Sequence, residues 1–362
     1  MHKYLIIFLF SIILLISPVS AELVQFWPDS NSISTADIRD ICDGTNGRII
    51  LATLNGISIY DNEGWEILHA LPKDGQGNLD GIPLNDDVFE LEYDYLDNLW
   101  IGYGNGIQIY NGYSKPVTIR ETDDILSDVS INKMKCQGRI MWIATGDLGL
   151  NYYFNGKFKW IRPGEETGLT AHHISDMEID YSNDNLYLGS ASNGQYVYAG
   201  GTEGLENISF KKVTDPLVAG DMTEIASYPS GGVVFFNSTD AVYYNEFSGA
   251  EHVFNVRDLS GSTKRIFDIS VTKNGKYVIG TDNGIFCWYK GEVLRHLTKF
   301  DGLADYAVKI IYVDDFGRWW FTTKYTAGYY FEPEFTAVSS IEINSDSFES
   351  GSTIINNVIT GI

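Results

Sequence analysis

Val308-Lys309-Ile310-Ile311-Tyr312-Val313-Asp314-Asp315-Phe316-Gly317-Arg318-Trp319-Trp320-Phe321-Thr322-Thr323-Lys324-Tyr325-Thr326-Ala327-Gly328-Tyr329-Tyr330-Phe331 is the stretch whose reading decides the fold. An apolar run enters an Asp/Gly turn, a second run carries two tryptophans, and a third run after a short polar turn ends in Tyr-Tyr-Phe. Runs this short and this rich in Val, Ile, Tyr and Trp read as β-strands, and Asp-x-x-Gly supplies the positive φ that tight turns need. The same order returns at Val88 to Tyr110, with Leu99-Trp100-Ile101-Gly102 and Asn105-Gly106-Ile107, and at Ile266 to Trp288, with Val278-Ile279-Gly280-Thr281 and Asp282-Asn283-Gly284. Weaker copies lie at Ile38 to Tyr60, Ile131 to Tyr153, Ile174 to Tyr198 and Met222 to Tyr244.

Aligning the second strands places Ala52, Gly102, Ala144, Gly189, Asn237, Gly280 and Thr322 at equivalent positions, separated by 50, 42, 45, 48, 43 and 42 residues. One such unit is a small sheet that cannot bury both apolar faces, so neighbours must stack. A period near 45 residues with about four strands per unit is the signature of a β-propeller rather than a helical solenoid. The fold class is therefore all-β, a seven-bladed propeller of four-stranded antiparallel blades. A fourth strand follows the third in most units, as in Gly156-Lys157-Phe158-Lys159-Trp160-Ile161. Leu23-Val24-Gln25-Phe26-Trp27 resembles such a fourth strand but precedes any first strand, so it is expected to complete the last blade and close the ring.

Around this core the reading divides the chain into residues 1–21 as a signal peptide, 22–334 as the propeller and 335–362 as a C-terminal β extension or truncated following domain. Lys3 precedes the apolar run Leu5 to Ile16, and Val19-Ser20-Ala21 offers small residues for a signal peptidase. The run falls short of the about 20 apolar residues of a membrane span, and an uncleaved anchor is the alternative. Either way the expected location is secreted or on the extracytoplasmic cell surface. Without the leader, 24 basic residues face 48 acidic ones, a formal charge of −24. That surface repels phosphate backbones and anionic headgroups, so nucleic acid and direct lipid binding are not expected.

Three widely spaced cysteines, Cys42, Cys136 and Cys287, make no disulfide framework and no zinc motif, and read as small strand residues. A Cys42–Cys136 bridge is conceivable but not expected. Asn207-Ile208-Ser209 and Asn237-Ser238-Thr239 are glycosylation sequons.

Lys299-Phe300-Asp301-Gly302-Leu303, the run Val308 to Asp315, Gly317, Trp320 and Gly328-Tyr329-Tyr330, with Leu99-Trp100-Ile101-Gly102 and Gly280-Thr281-Asp282-Asn283-Gly284-Ile285, resemble the two-component regulator propeller repeat. The resemblance covers about Glu22 to Glu332, with the fifth unit degenerate. It implies the extracytoplasmic ligand-sensing part of a membrane histidine kinase, often tuned to glycans. No kinase and no later membrane span follow in this sequence, so docking to a separate membrane transducer is the expected route for a signal.

Propellers take ligands over the central channel, on the face made by fourth-to-first and second-to-third strand connections. The repeat maps Tyr103, His172, His173, Arg265, Tyr306 and Tyr325 to that face, and with them Asn105, Asp128, Asp147, Asn193, Asp221, Asp282, Asn283, Asp305 and Lys324. Tyrosines and an arginine there suit an oligosaccharide or a peptide by stacking and hydrogen bonding. The Asn and Asp positions also fit plain turn residues. No cofactor and no metal site are expected: the histidines lack ligand spacing, and Gln76 stands where the loop Gln76 to Asp87 would need Asp to hold calcium. No nucleophile elbow, phosphate loop or zinc-protease motif is present.

The leading expectation is a non-catalytic recognition propeller for an oligosaccharide or a surface protein at the channel mouth. A secreted glycan lyase or hydrolase is the alternative, and a structural assembly protein the third. An acid pair in the channel with one raised pKa favours the enzyme. A mouth with stacked tyrosines favours binding, and apolar outer edges favour assembly.

Overall fold

The structure, a computed structural model, describes residues 21–333 except 30, 71–81, 121–124, 129, 192 and 219. The leader, the Gln76–Gly81 turn and the C-terminal extension thus lie outside the described residues. Seven four-stranded antiparallel sheets form a ring within the compact unit Ala21–Phe331. Blade one comprises Ile38–Asp43, Ile49–Thr53, Gly56–Tyr60 and Trp65–Leu68, and blade two Val88–Tyr93, Leu99–Tyr103, Gly106–Tyr110 and Val117–Arg120. Blade three comprises Ile131–Gln137, Ile140–Thr145, Leu150–Phe154 and Lys157–Ile161, and blade four Asp176–Asp180, Asn185–Ser190, Gly194–Tyr198 and Lys211–Lys212. Blade five comprises Glu224–Ser227, Val233–Phe236, Asp240–Asn245 and Gly249–Asn255, and blade six Ile266–Val271, Tyr277–Thr281, Gly284–Tyr289 and Glu292–Leu297. Blade seven takes Ile311–Val313, Trp319–Thr322 and Ala327–Phe331, and its fourth strand is Glu22–Phe26, paired Glu22 to Phe331 through Phe26 to Ala327.

The N-terminal strand closes the ring as expected, and side chains lock it. Phe26 packs 5.3 Å from Tyr60 and 5.0 Å from Trp65 of blade one, and Trp320 reaches across to Tyr60 at 5.4 Å. Each such aromatic pair adds about 0.5–1.5 kcal/mol beyond its buried area.

The Asn-Gly turns of the repeat have a steric cause. Gly284 opens its strand at φ +99°, and a Cβ there would collide with the Leu297 carbonyl oxygen of the fourth strand. Only glycine admits both the positive φ and that close approach.

One alignment needs correction. In blade five the register sets Phe236, not Asn237, opposite Glu224, as Gly102 stands opposite Glu90 and Gly280 opposite Asp268. The cysteines are free, Cys287 buried and Cys42 and Cys136 half-buried. Burial, then nearby carboxylates, pushes the Cys42 thiol up, and burial first and Glu92 next push Cys136 to about 12, so neither is poised to react.

Candidate functional site at the channel mouth

The first strand of each blade pairs within its sheet on one side only, and successive first strands contact each other around the ring from blade one to blade seven. They wall the channel. Four of them open with a one-residue irregularity in pairing, between Ile38 and Asp40, Val88 and Glu90, Ile131 and Lys133, and Ile266 and Asp268. The skipped residues are Arg39, Phe89, Asn132 and Phe267. A bulge of this kind re-aims the skipped side chain, and these four are half-buried at the channel's end nearest the inter-blade connections.

The residue after each bulge is ionisable, and it ties one blade to the next. Asp40 accepts from the Leu91 N–H at 2.9 Å, Glu90 from Met134 at 3.3 Å and Asp268 from Ile311 at 2.8 Å. Asp176, at the same position in blade four, accepts from Ile225 at 2.8 Å. Two residues along, Glu92 accepts from Cys136 at 3.0 Å and Ser270 from Val313 at 3.1 Å. Blade three breaks the rule with Lys133, whose Nζ lies 3.0 Å from Glu90 and 3.8 Å from Asp40, and with Lys135, 3.0 Å from Glu178.

Desolvation would lower both lysines, but the facing carboxylates, Glu90 for Lys133 and Glu178 for Lys135, hold them well above their ordinary value. Burial raises Glu90 and Glu224, takes Asp268 to about 7 and takes Asp176 to about 8 against the pull of Lys133. An acid pair with raised values does converge on the channel, Asp176 with Glu224. Asp176, however, has both oxygens occupied by backbone N–H groups, those of Met177 and Ile225.

The sequence-predicted face residues separate. Tyr103 is a correction: it is 0 % exposed, in register opposite Val88, its hydroxyl donating to Gln108 at 2.7 Å and accepting from Leu84 N–H at 2.9 Å. It is a satisfied core residue of blade two. Arg265, Tyr306 and Tyr325 do reach solvent, Tyr306 at 36 % and Tyr325 at 44 %. Arg265 and Tyr306 flank one turn of blade six: the Asp282 N–H donates to the Arg265 carbonyl, and the Gly284 N–H to that of Tyr306. His172 is the repeat equivalent of Tyr306, its carbonyl accepting from Gly149 at 2.7 Å. The exposed His173 sets Nδ1 3.0 Å from the Gly146 carbonyl and 3.3 Å from Asp147. The histidines serve blade three's turn, two blades or more from Arg265.

Several polar positions are turn-builders. Asp282 accepts from the Lys264 and Arg265 N–H groups at 3.0 and 3.2 Å, and Asn283 donates to Ser262 at 3.0 Å. Asn193 donates to the Thr170 carbonyl at 3.2 Å.

Sequence reading missed Arg39, Phe89, Phe267, Lys264 and Lys309. Arg39 stacks 4.0 Å over Phe89 and lies 2.7 Å from Asp87, and Arg265 lies 5.1 Å over Phe267. Blades six, seven and one thus gather arginine, lysine and aromatic side chains on one face of an acidic protein. Among the described residues none of Lys264, Arg265, Lys309 and Lys324 forms an ion pair with an acidic side chain. The recurring apolar–x–acid triplets Ile38-Arg39-Asp40, Val88-Phe89-Glu90 and Ile266-Phe267-Asp268 were the signal that marks the mouth.

Comparison with solved structures places this architecture among known propellers. The extracellular domain of a hybrid two-component system of B. thetaiotaomicron matches with TM-score 0.63 at 18% identity, covering 81% of this chain and 39% of that one. The sensor-domain propellers share this fold. The extracellular domain of a one-component system of the same organism matches with TM-score 0.62 at 17% identity over 86% of this chain, so the chain spans about 40% of the length of these sensor domains. Virginiamycin B lyase from Staphylococcus aureus also matches, with TM-score 0.62 at 12% identity, over 86% of this chain and 99% of that one. No protein-family model matches the sequence, and no curated protein matches it either.

Proposed function

We propose that the chain is an extracytoplasmic recognition propeller that binds an acidic oligosaccharide at the channel mouth and passes the bound state to a membrane transducer. The observation that carries the reading is the face of blades six, seven and one. Arg265 lies over Phe267, and Lys264, Lys309 and Lys324 stand without an acidic partner among the described residues. Arg39, ion-paired with Asp87, lies over Phe89, and Tyr306 and Tyr325 are exposed. Guanidinium groups bind carboxylate or sulfate through paired hydrogen bonds, and exposed rings stack on the apolar face of a sugar. The fold shared with extracellular sensor domains supports an extracytoplasmic setting. The channel carboxylates contribute inter-blade backbone hydrogen bonds, a holding role rather than a chemical one.

Calorimetric titration of the protein with uronate-containing oligosaccharides tests this. Arg265→Ala and Tyr306→Ala should each weaken binding about tenfold or more, and added salt should weaken it further. Unchanged affinity in both variants overturns the mouth as the site.

A second reading, a glycan-active enzyme, draws on Glu224. It is solvent-accessible and raised by desolvation, and its charge helps to raise Asp176; propellers of this fold include a lyase.

A further inference from the structure

Where blade five meets blade six, the fold lacks a seal that blades two, three and seven carry; blades one, four and six also lack the indole, with Ile50, Tyr187 and Val278 in its place. In blades two, three and seven an indole from the second strand crosses to the next blade. Its Nε1–H donates to a side chain at the end of its own first strand or one residue past it: Trp100 to Asp94 at 3.0 Å, Trp142 to Gln137 at 2.8 Å and Trp320 to Asp314 at 2.9 Å. Each indole then packs on the tyrosine that ends the next blade's third strand or stands one residue before its end. Trp100 lies 5.1 Å from Tyr153, Trp142 5.2 Å from Tyr198 and Trp320 5.4 Å from Tyr60.

In blade five the pairing register puts Val234 at the indole's position, opposite Ala226 as Trp100 stands opposite Glu92. Two residues beyond Ala226, the acceptor's position is taken by Tyr228. The large side chain thus stands just past the first strand instead of in the second, and the facing position in blade six is Trp288, paired with Tyr277.

Beside Tyr228 lies a groove of about 590 Å³, well inside the about 300–1,000 Å³ of small-molecule sites. Tyr228, Tyr243, Tyr277, Trp288 and Tyr289 line it, with Tyr228 5.1 Å from Tyr243 and 5.8 Å from Tyr277. Tyr277 and Trp288 are buried and form the floor, while Tyr228, Tyr243 and Tyr289 are half-buried walls. Glu251, His252 and Lys290 are exposed on the rim.

We infer that this groove is a binding site for a neutral oligosaccharide. Aromatic walls accept the C–H face of a pyranose. The rim offers one carboxylate acceptor, one ammonium donor and an imidazole 3.3 Å from Asp240. These charges balance, so an ionic ligand gains little, whereas a hydroxyl, donor and acceptor at once, is served by all of them. A proline-rich peptide would use the rings and leave the rim unused. The site is remote from the channel mouth and stands independently of the function proposed there.

The test is equilibrium binding of the full chain to neutral hexasaccharides of glucose, mannose, xylose and galactose, with a proline-rich dodecapeptide in parallel. The variants are Tyr289→Ala, Glu251→Gln, and the double change Val234→Trp with Tyr228→Asp, which rebuilds the seal of blades two and seven. At least one hexasaccharide should bind with micromolar affinity, weakened about tenfold or more by each single variant and abolished by the double one. Arg265→Ala should leave it intact, which separates this site from the mouth. If the double variant fails to fold by circular dichroism, the two exposed-rim and wall variants decide alone. No hexasaccharide binding, binding insensitive to these variants, loss on Arg265→Ala, or binding of the peptide instead overturns the inference.

Discussion

Asp268 meets two opposed demands. Its oxygens accept N–H groups from Ile269 and from Ile311 of the next blade, both at 2.8 Å, which favours the ionised form, while burial favours the neutral one and wins, taking it to about 7 from 3.8. A carboxyl raised on folding binds its proton more tightly in the folded chain. Its stabilisation is complete below about pH 4 and is lost as pH rises through about 7. Asp176, at about 8, acts in the same sense to higher pH. The melting temperature should therefore fall between pH 5 and pH 9. Asp268→Asn, which keeps an oxygen for the Ile311 N–H, should flatten that fall, as read by thermal melts at the two pH values. An unchanged slope in the variant, or stability that rises with pH, contradicts the assignment. This residue scale is also where sequence reading failed. The repeat mapped Tyr103 to the ligand face with Asn105, but register places it in the strand and turns its ring inward. Arg39, Phe89 and Phe267 were hidden because strict alternation assigns them to a sheet face, and a one-residue bulge cannot be seen in strict alternation.

At the scale of the blade, the indole and its acceptor are the repeated joint. Trp320 is fully buried, bonded to Asp314, and packed on blade one. Trp320→Ala should cost about 3–5 kcal/mol, and chemical denaturation should show it as a lower midpoint. A change below about 1 kcal/mol would remove the joint from the account. The joint also explains what was legible. Blades two, six and seven could be read because Trp or Gly fixes the second strand and Asn-Gly or Asp-x-x-Gly fixes the turns around it. Blade five slipped by one residue because Val233-Val234-Phe235-Phe236 offers neither marker.

At the scale of the whole molecule, the ring gathers basic and aromatic side chains on one face of a chain of formal charge −23. Seven units and the N-terminal clasp followed from the repeat period, since a fourth strand without a first could only be shared across the ring. The candidate face followed less well: Arg265, Tyr306 and Tyr325 lie in connections whose place the period predicts, whereas the convergence of blades six, seven and one with Arg39 exists only after closure. Recognition without turnover is the central claim. The measurement that tests it most directly is mass spectrometry of uronate-containing oligosaccharides recovered after prolonged incubation with the full chain at a concentration where calorimetry shows them bound. The account predicts that they return intact while Arg265→Ala fails to bind them. Cleaved or unsaturated products, lost in Glu224→Gln, would contradict it and assign the channel mouth to catalysis.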